Sequence, residues 1–185
     1  MRISETFSSI QGEGQWLGVP SIFLRLSGCN LRCSWCDTPY ASWNAEGTET
    51  SMKELLLEFK KWPSVKHLVI TGGEPFIFTE LPEWVSHFKS LGYVITIETA
   101  GTIWRATNAD LISISPKLKN STPDSQEYPK ISQRHEKARI NIPALSNFIQ
   151  QHNCQLKFVL EEDEGLSEIT DLLESLPNIC LLYTS

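Results

Sequence analysis

Three cysteines lie within eight residues of one another, and their spacing is the strongest chemical signal in the sequence. Cys29, Cys33 and Cys36 form a C-x3-C-x2-C pattern. Cysteines this close rarely reach the geometry of an unstrained disulfide, and clustered thiols in a reducing compartment more often bind metal. Three thiolates on one short loop can hold three corners of a cubane iron–sulfur cluster and leave the fourth iron open. We therefore expect an iron site at which chemistry takes place.

Two other interpretations of the cysteine cluster stay open at this point. A structural zinc site needs four closed ligands. No fourth cysteine or histidine has a suitable spacing, so a remote residue such as Cys154 or His67 would have to complete the site. The cysteines could also lie together by chance. Cys154 and Cys180 stand alone among apolar residues, and we interpret both as ordinary buried cysteines.

Several other segments carry residue types suited to binding a small charged molecule. In Gly72-Gly73-Glu74-Pro75 the glycines allow the backbone to approach a ligand closely, and Glu74 offers a carboxylate to a cationic group. Arg25 lies in an apolar segment, where a buried guanidinium must meet either an anionic ligand or a carboxylate of the protein. Thr38 follows the third cysteine and either turns the chain or offers a hydroxyl to a hard cation such as Mg2+. Ser115-Pro116-Lys117 combines a hydroxyl with a cation, although a solvated loop lysine is the alternative.

Short apolar segments alternate with helical patterns along the chain. Strands are predicted at 21–26, 67–71, 93–98, 111–114, 155–160 and 178–183. Helices are predicted at 51–62, 79–91, 146–152 and 167–176, the first with a capping box of Ser51 and Glu54. This alternation predicts a parallel sheet with right-handed crossovers, and the strands are too few to close an eightfold barrel. The expected fold class is α/β: a partial, open (β/α) barrel of about six mostly parallel strands.

The predicted strands bring the chemically distinctive segments to one edge of the sheet. In parallel α/β folds, ligands bind beyond the carboxyl ends of the strands. The cysteine segment follows the first predicted strand and the Gly-Gly-Glu-Pro segment follows the second. Glu98-Thr99-Ala100-Gly101 ends the third strand, and Ser115-Pro116-Lys117 follows the fourth. We expect these four strand ends to meet at one site.

Composition and charge exclude several classes of protein. The 185 residues are 41% hydrophobic and carry a net charge of −6, which excludes intrinsic disorder and gives no support to a nucleic-acid surface. No apolar run approaches the roughly 20 residues that span a bilayer, and the N-terminus lacks the apolar core of a signal peptide. We expect a single cytoplasmic domain over residues 1–185. A mobile loop is expected over residues 119–137, which are rich in Ser, Pro, Gln, Glu and Lys.

The cysteine spacing is that of the radical S-adenosylmethionine (SAM) enzymes, and the other motifs narrow the resemblance. Taken in order, they resemble the 7-carboxy-7-deazaguanine synthases, a family of small radical SAM lyases in queuosine and deazapurine biosynthesis. The segments that carry the resemblance are Ile10-Gln11-Gly12-Glu13-Gly14, Phe23-Leu24-Arg25, 29–38, 71–75, 98–102 and Ser115-Pro116-Lys117. The cysteines alone indicate the superfamily, whereas the Gln-Gly-Glu-Gly, Cys-Asp-Thr and Ser-Pro-Lys segments indicate the family.

The resemblance implies a reaction, its cofactors and a set of site residues. The reaction is conversion of 6-carboxy-5,6,7,8-tetrahydropterin to 7-carboxy-7-deazaguanine with loss of ammonia. The resemblance implies a [4Fe-4S] cluster held by Cys29, Cys33 and Cys36, with SAM on the open iron and Mg2+ at Thr38. The implied SAM contacts are Trp35, Cys36, Asp37, Gly73, Glu74, Ser115, Pro116 and Lys117. The implied substrate contacts are Ile10, Gln11, Gly12, Arg25 and Thr71.

The resemblance also implies partners, and rival functions remain. Family members are homodimers, and their cluster needs a reductant such as flavodoxin or ferredoxin; neither nucleic acid nor membrane is implied. One rival is a radical SAM enzyme that activates glycyl-radical proteins, which would need neither Arg25 nor Thr38 as assigned. The other is a non-catalytic iron–sulfur or zinc module.

The end of the chain departs from the family pattern. Relatives continue beyond the last predicted strand, whereas this chain stops at Ser185. Its last six residues resemble the translation of a transposon-end adapter used in DNA library preparation. We therefore expect a reading frame truncated near residue 180, in which Cys180 need not be native.

Overall fold

The computed structural model describes residues 1–161 and 164–177, which form one seven-stranded sheet and five α-helices. The strands are β1 (Arg2–Ile10), β2 (Pro20–Leu26), β3 (Thr48–Glu49), β4 (His67–Gly72), β5 (Val94–Thr99), β6 (Leu111–Ile114) and β7 (Cys154–Leu156). The helices are α1 (Met52–Phe59), α2 (Leu81–Ser90), α3 (Pro129–Ala138), α4 (Ile142–Gln151) and α5 (Glu164–Glu174). The strand predicted at 178–183 and Cys180 lie outside the described residues.

The sheet is open and mostly parallel, which confirms the predicted fold class. Its strand order is β3-β1-β2-β4-β5-β6-β7. Strands β2 and β4 to β7 run parallel to one another, whereas β1 runs antiparallel to both β2 and β3. Strands β1 and β3 were not predicted from the sequence. Most positions of β1 are polar, so it lacks the apolar run by which the central strands were identified.

The two faces of the sheet differ in chemistry. Because successive residues of a strand point to opposite sides, each strand divides its side chains between the faces. One face is apolar and packs against α1, α2, α4 and α5; its fully buried residues are Ile22, Leu24, Leu26, Leu68, Ile70, Ile95, Ile97, Ile112 and Ile114. The other face carries polar side chains, among them Ser21, Arg25, His67, Thr71, Thr96, Glu98 and Ser113. A polar sheet face suits the binding of a ligand better than the packing of a helix, because its side chains need hydrogen-bond partners.

The predicted helices are present, with some bounds shifted. The Ser51 side chain accepts a hydrogen bond from the Glu54 N–H while the Glu54 carboxylate accepts from the Ser51 N–H, so the predicted capping box of α1 is confirmed. Helix α4 begins earlier than predicted because the Asn141 side chain caps it by accepting from the Ala144 N–H. No helix within the described residues combines the length and the apolar character that crossing a bilayer requires.

The prediction of a loop over residues 119–137 was wrong for residues 129–137, which are helical, whereas residues 122–128 form no helix or strand. Residues Lys119–Ser121 form a 3-10 turn, and α3 occupies much of the remaining segment. The helix is strongly polar, and it buries only Ser132 and His135. A helix with so small an apolar face gives little periodic signal in the sequence.

Candidate functional site

The three cysteines of the motif lie on the loop that follows β2, at the carboxyl ends of the parallel strands. They share a small packed cluster with Leu31 and Ala100. Burial raises the pKa of Cys29 to about 12 and that of Cys33 to about 11. A thiolate in such surroundings needs a compensating positive charge, which a metal centre supplies when it binds. The arrangement therefore suits a buried metal–thiolate site.

A cubane cluster and a single metal ion make different demands on the three thiols. Within residues 1–161 and 164–177, no three His, Cys, Asp or Glu side chains converge closely enough to hold one ion. In a cubane each cysteine binds a different iron, so its thiols need not converge on one point. Of the remote zinc ligands considered above, His67 bonds Ser21 and Thr96 through its two ring nitrogens. Cys154 donates to the carbonyl of Phe148.

The cysteine loop is held by residues of the segment that the sequence predicted as mobile. His135 of α3 accepts a hydrogen bond at Nδ1 from the Arg32 N–H (3.1 Å). Its Nε2 therefore carries the proton and donates to the Ser121 hydroxyl (2.9 Å). The Ser121 carbonyl in turn accepts from the Ser34 N–H (2.9 Å). These bonds hold the cysteine loop at the N–H groups of Arg32 and Ser34, which lie between the first and third cysteines.

The stability of the protein is expected to fall as the pH drops from about 6.5 towards 4. Burial lowers the pKa of His135 from its ordinary 6.5 to about 4. Between these values the unfolded chain binds a proton that the folded chain does not, so acid favours unfolding by up to about 1.4 kcal/mol per pH unit. Urea unfolding at a series of pH values measures this slope. His135→Gln is expected to flatten the dependence of the free energy of unfolding on pH. If the slope is unchanged in this variant, the pH dependence comes instead from His67 and His152, whose pKa values burial also lowers.

The Gly-Gly-Glu-Pro turn packs directly against the start of the cysteine loop. A side chain on Gly73 would bring its Cβ within 2.0 Å of the Gly28 carbonyl oxygen and 2.7 Å of the Ala41 carbonyl oxygen. The Glu74 N–H donates to the same Gly28 carbonyl (2.8 Å). The predicted close approach of Gly73 is therefore an approach to the protein's own backbone, at Gly28 and Ala41. It joins the end of β4 to the loop after β2.

Glu74 bonds groups of its own protein, while its expected contact with a cationic ligand stays a prediction. The side chain is fully buried, and burial raises its pKa. The carboxylate accepts hydrogen bonds from the Thr99 hydroxyl (2.8 and 2.9 Å), the Ala100 N–H (2.8 Å) and the Phe76 N–H (3.0 Å). It therefore clamps the end of β4 to the end of β5.

Lys117 brings the end of β6 to the cysteine loop. Its Nζ lies 5.2 Å from the centroid of the Trp35 ring and donates to the Ser115 hydroxyl (2.9 Å). Burial lowers the pKa of the Lys117 ammonium, while the sulfur of Cys33 acts in the opposite direction. With this contact, the ends of β2, β4, β5 and β6 meet at one place, as the sequence predicted.

Thr38 and Asp37 place two oxygens beside the third cysteine. The Thr38 side chain is buried and donates to the Asp37 carboxylate (3.2 Å). Its Oγ1 lies 3.9 Å from the sulfur of Cys36. A hydroxyl and a carboxylate are ligands that Mg2+ accepts. The residues present are therefore compatible with the expected magnesium site.

A second cluster lies on the polar face of the sheet. The Gln11 side-chain amide donates to Glu98 Oε1 (3.2 Å), and the Thr71 hydroxyl donates to Glu98 Oε2 (2.9 Å). Two of the expected substrate contacts thus meet at a carboxylate that had no assigned role in the sequence analysis. Glu98 follows Thr96 by two residues on β5, and this polar alternation was the available signal. Ile10 and Gly12 are exposed at the end of β1 and lie outside the cluster.

Arg25 has a protein partner on this face. Its Nε pairs with the Glu5 carboxylate (2.7 Å), and its guanidinium carbon lies 5.9 Å from the centroid of the Phe7 ring. The second of the two interpretations of Arg25, an ion pair within the protein, is therefore present. Among the described residues, the Arg25 Nη groups donate to no protein acceptor, so the outer half of the guanidinium can still bind an anion.

Lys157 forms a charged contact across this face that the sequence analysis missed. Its Nζ bonds the Glu13 carboxylate (2.6 Å) and lies 4.0 Å from Glu98 Oε1. Lys157 follows β7 and Glu13 follows β1, so the contact joins distant parts of the sheet, which must curve around the polar face. The two residues are 144 apart in sequence. The available local signal was a lysine two residues after Gln155 in a predicted strand.

Comparison with known proteins is consistent with this site. Residues 24–134 match the sequence model of the radical SAM superfamily. A 7-carboxy-7-deazaguanine synthase from Rhodopirellula baltica is 45% identical over 175 residues, which are 94% of this chain and 68% of that protein. The chain belongs to the 7-carboxy-7-deazaguanine synthase family. A family member from Halobacterium salinarum is 39% identical, over 92% of this chain and 68% of that protein.

Solved structures agree with the family assignment. The crystal structure of QueE from Escherichia coli covers 96% of this chain and 78% of its own, with a TM-score of 0.74 and 26% identity. The structure of TYW1 with a lysine-pyruvate adduct shares the fold, at a TM-score of 0.57 and 15% identity over 84% of this chain and 61% of its own. As a radical SAM enzyme, a 7-carboxy-7-deazaguanine synthase uses a [4Fe-4S] cluster and SAM.

Proposed function

We propose that this chain is the lyase that converts 6-carboxy-5,6,7,8-tetrahydropterin to 7-carboxy-7-deazaguanine with loss of ammonia. The observation that carries the proposal is the meeting of four strand ends around three buried cysteines, next to a polar sheet face. Such a site can hold a cluster and a small polar substrate side by side. Relatives named for this activity are 45% and 39% identical to the chain.

The cofactors are assigned to the cysteine loop and its neighbours. Cys29, Cys33 and Cys36 would hold the [4Fe-4S] cluster, and Thr38 with Asp37 would hold Mg2+. When bound, the cluster and SAM supply the 5′-deoxyadenosyl radical that removes a hydrogen atom from the substrate. The residues that would position SAM are Trp35, Cys36, Asp37, Gly73, Ser115, Pro116 and Lys117. Glu74 contributes to this site through its clamp on the glycine turn.

The polar face is assigned to the pterin. Gln11, Thr71 and Glu98 offer both donors and acceptors, which suits the heteroatom-rich edge of a pterin ring. Arg25 suits the substrate carboxylate, because a guanidinium binds a carboxylate with two parallel hydrogen bonds. The family resemblance adds the exposed segment of Ile10 and Gly12.

Arg25→Ala is expected to weaken substrate binding about 10- to 100-fold, the usual consequence of losing a hydrogen bond between charged groups. SAM cleavage in the absence of substrate is expected to continue at the wild-type rate, because the Arg25 side chain pairs with Glu5 and lies over the Phe7 ring of β1. The apparent KM for the pterin and substrate-free formation of 5′-deoxyadenosine measure the two effects.

Glu5→Gln is the matched control, since it removes the ion pair and retains the guanidinium. It is expected to change the KM much less than Arg25→Ala. Both variants could instead lose SAM cleavage and substrate turnover to the same degree. In that case the ion pair between Arg25 and Glu5 stabilises the fold, and the assignment of Arg25 to substrate binding is wrong.

Anaerobic turnover of the reconstituted protein tests the proposed function as a whole. The expected result is a [4Fe-4S] signal and a product with the mass of 7-carboxy-7-deazaguanine. SAM cleavage without this product would favour the rival function, a radical SAM enzyme that activates a glycyl-radical protein. Zinc bound in place of iron would contradict any radical function.

We also propose the setting in which the enzyme works. It would be a single radical SAM domain in a cytoplasmic homodimer, reduced by a flavodoxin or ferredoxin. A reducing compartment keeps the cysteine thiols free to bind iron, and a cluster of this type needs a low-potential electron donor.

A further inference from the structure

We propose that Ser42 is a positioning residue whose hydroxyl donates a hydrogen bond to the sulfur of Cys36 and thereby raises the reduction potential of the cluster. The inference rests on the proposed function, because it concerns the cluster that the three cysteines would hold. Ser42 belongs to none of the sequence motifs discussed above. It follows the 3-10 turn Pro39–Ala41, six residues after Cys36.

The contact between Ser42 and Cys36 is close and buried. Ser42 Oγ lies 3.0 Å from Cys36 Sγ, and Ser42 is 4% exposed. The other hydroxyl near this sulfur, that of Thr38, lies farther away at 3.9 Å and donates to Asp37. The second acceptor within reach of Ser42 is the Thr38 carbonyl at 3.3 Å. A thiolate is charged and therefore the stronger acceptor, so a deprotonated Cys36 attracts the Ser42 proton.

The neighbouring residues on both sides hold Ser42 in this place. The Ala41 carbonyl accepts a hydrogen bond from the Gly28 N–H (2.8 Å), next to the first cysteine. On the other side, Trp43 donates its indole N–H to the carbonyl of Cys33 (2.9 Å). Residues 41–43 are thus bonded to the cysteine loop at two points, with the Ser42 hydroxyl between them. The contact with the sulfur is part of a fixed arrangement.

A hydrogen bond to a ligand sulfur changes the energy of the cluster electron. The donor withdraws electron density from the thiolate, which stabilises the reduced, more negative state, and hydrogen bonds to sulfur are among the determinants of cluster potential. The effect is larger in a desolvated site, where electrostatic interactions are weakly screened. Removal of the hydroxyl should therefore make the cluster harder to reduce.

The test is the midpoint potential of the reconstituted protein, measured by an EPR-monitored redox titration alongside iron and sulfide analysis. Ser42→Ala is expected to shift the potential to a more negative value. Ser42→Thr, which keeps a hydroxyl, is expected to restore it. Ser34→Ala is the matched control: Ser34 lies in the cysteine loop, but it is exposed and its hydroxyl bonds the Asn120 carbonyl. This control is expected to keep the wild-type potential.

A full cluster in Ser42→Ala with the wild-type potential would overturn the inference and leave the proposed function intact. A wild-type protein that assembles no [4Fe-4S] cluster would instead overturn the proposed function and the inference with it. If Ser42→Ala loses iron on reconstitution, Ser42→Val and Ser42→Thr decide the matter, because they have nearly the same shape and differ in the hydroxyl. A more negative potential in the valine variant supports the hydrogen bond, and equal potentials contradict it.

Discussion

Cys33→Ala is expected to abolish cluster binding and to reduce SAM cleavage to the level of the protein-free reaction. Two thiolates cannot hold three corners of the cubane. Changes to residues that merely support a metal ligand typically cost 10- to 100-fold, so loss of the ligand itself should exceed about 100-fold. Iron content, the absorbance of the cluster and the yield of 5′-deoxyadenosine measure the effect.

Cys154→Ala is the control for this substitution, because it makes the same chemical change at a cysteine that begins β7, away from the site. It is expected to retain the wild-type iron content and activity. Circular dichroism should show that both variants remain folded. A Cys33→Ala protein with full iron content would mean that the ligand assignment is wrong.

Glu74→Ala is expected to destabilise the protein by about 3–5 kcal/mol, a large share of the total stability of a domain. The substitution leaves the N–H groups of Phe76 and Ala100 and the Thr99 hydroxyl without their buried acceptor, and each such group costs about 1–3 kcal/mol. Glu74→Gln keeps the shape and one acceptor oxygen, so its loss should be smaller. Urea unfolding of the protein without cofactors measures both.

Glu46→Ala, at an exposed position, provides the comparison and is expected to change the stability by less than about 0.5 kcal/mol. The clamp explanation of Glu74 predicts that stability is lost before any cofactor is added. The alternative is a direct role in holding SAM, in which case Glu74→Ala would unfold like the wild type and lose SAM affinity. The two explanations therefore separate in a single pair of measurements.

The sequence by itself determined the features that depend on near neighbours. The C-x3-C-x2-C spacing places three thiols on one loop whatever the rest of the chain does. The capping box at Ser51 and the apolar run of β4 likewise act over a few residues, and both were predicted at nearly their observed positions. The alternation of strands and helices predicted the parallel sheet. The parallel sheet in turn predicted that the carboxyl ends of its strands meet at one edge.

The tertiary structure decided which side chains those strand ends bring into contact. Glu74 meets Thr99, 25 residues away, and His135 meets Arg32, 103 residues away. No local pattern encodes such pairs, because they depend on the path of the whole chain and on how the sheet curves. For the same reason the sequence did not reveal that the Glu74 carboxylate bonds the end of β5, or that part of a polar segment expected to be a loop forms a helix that supports the cysteines.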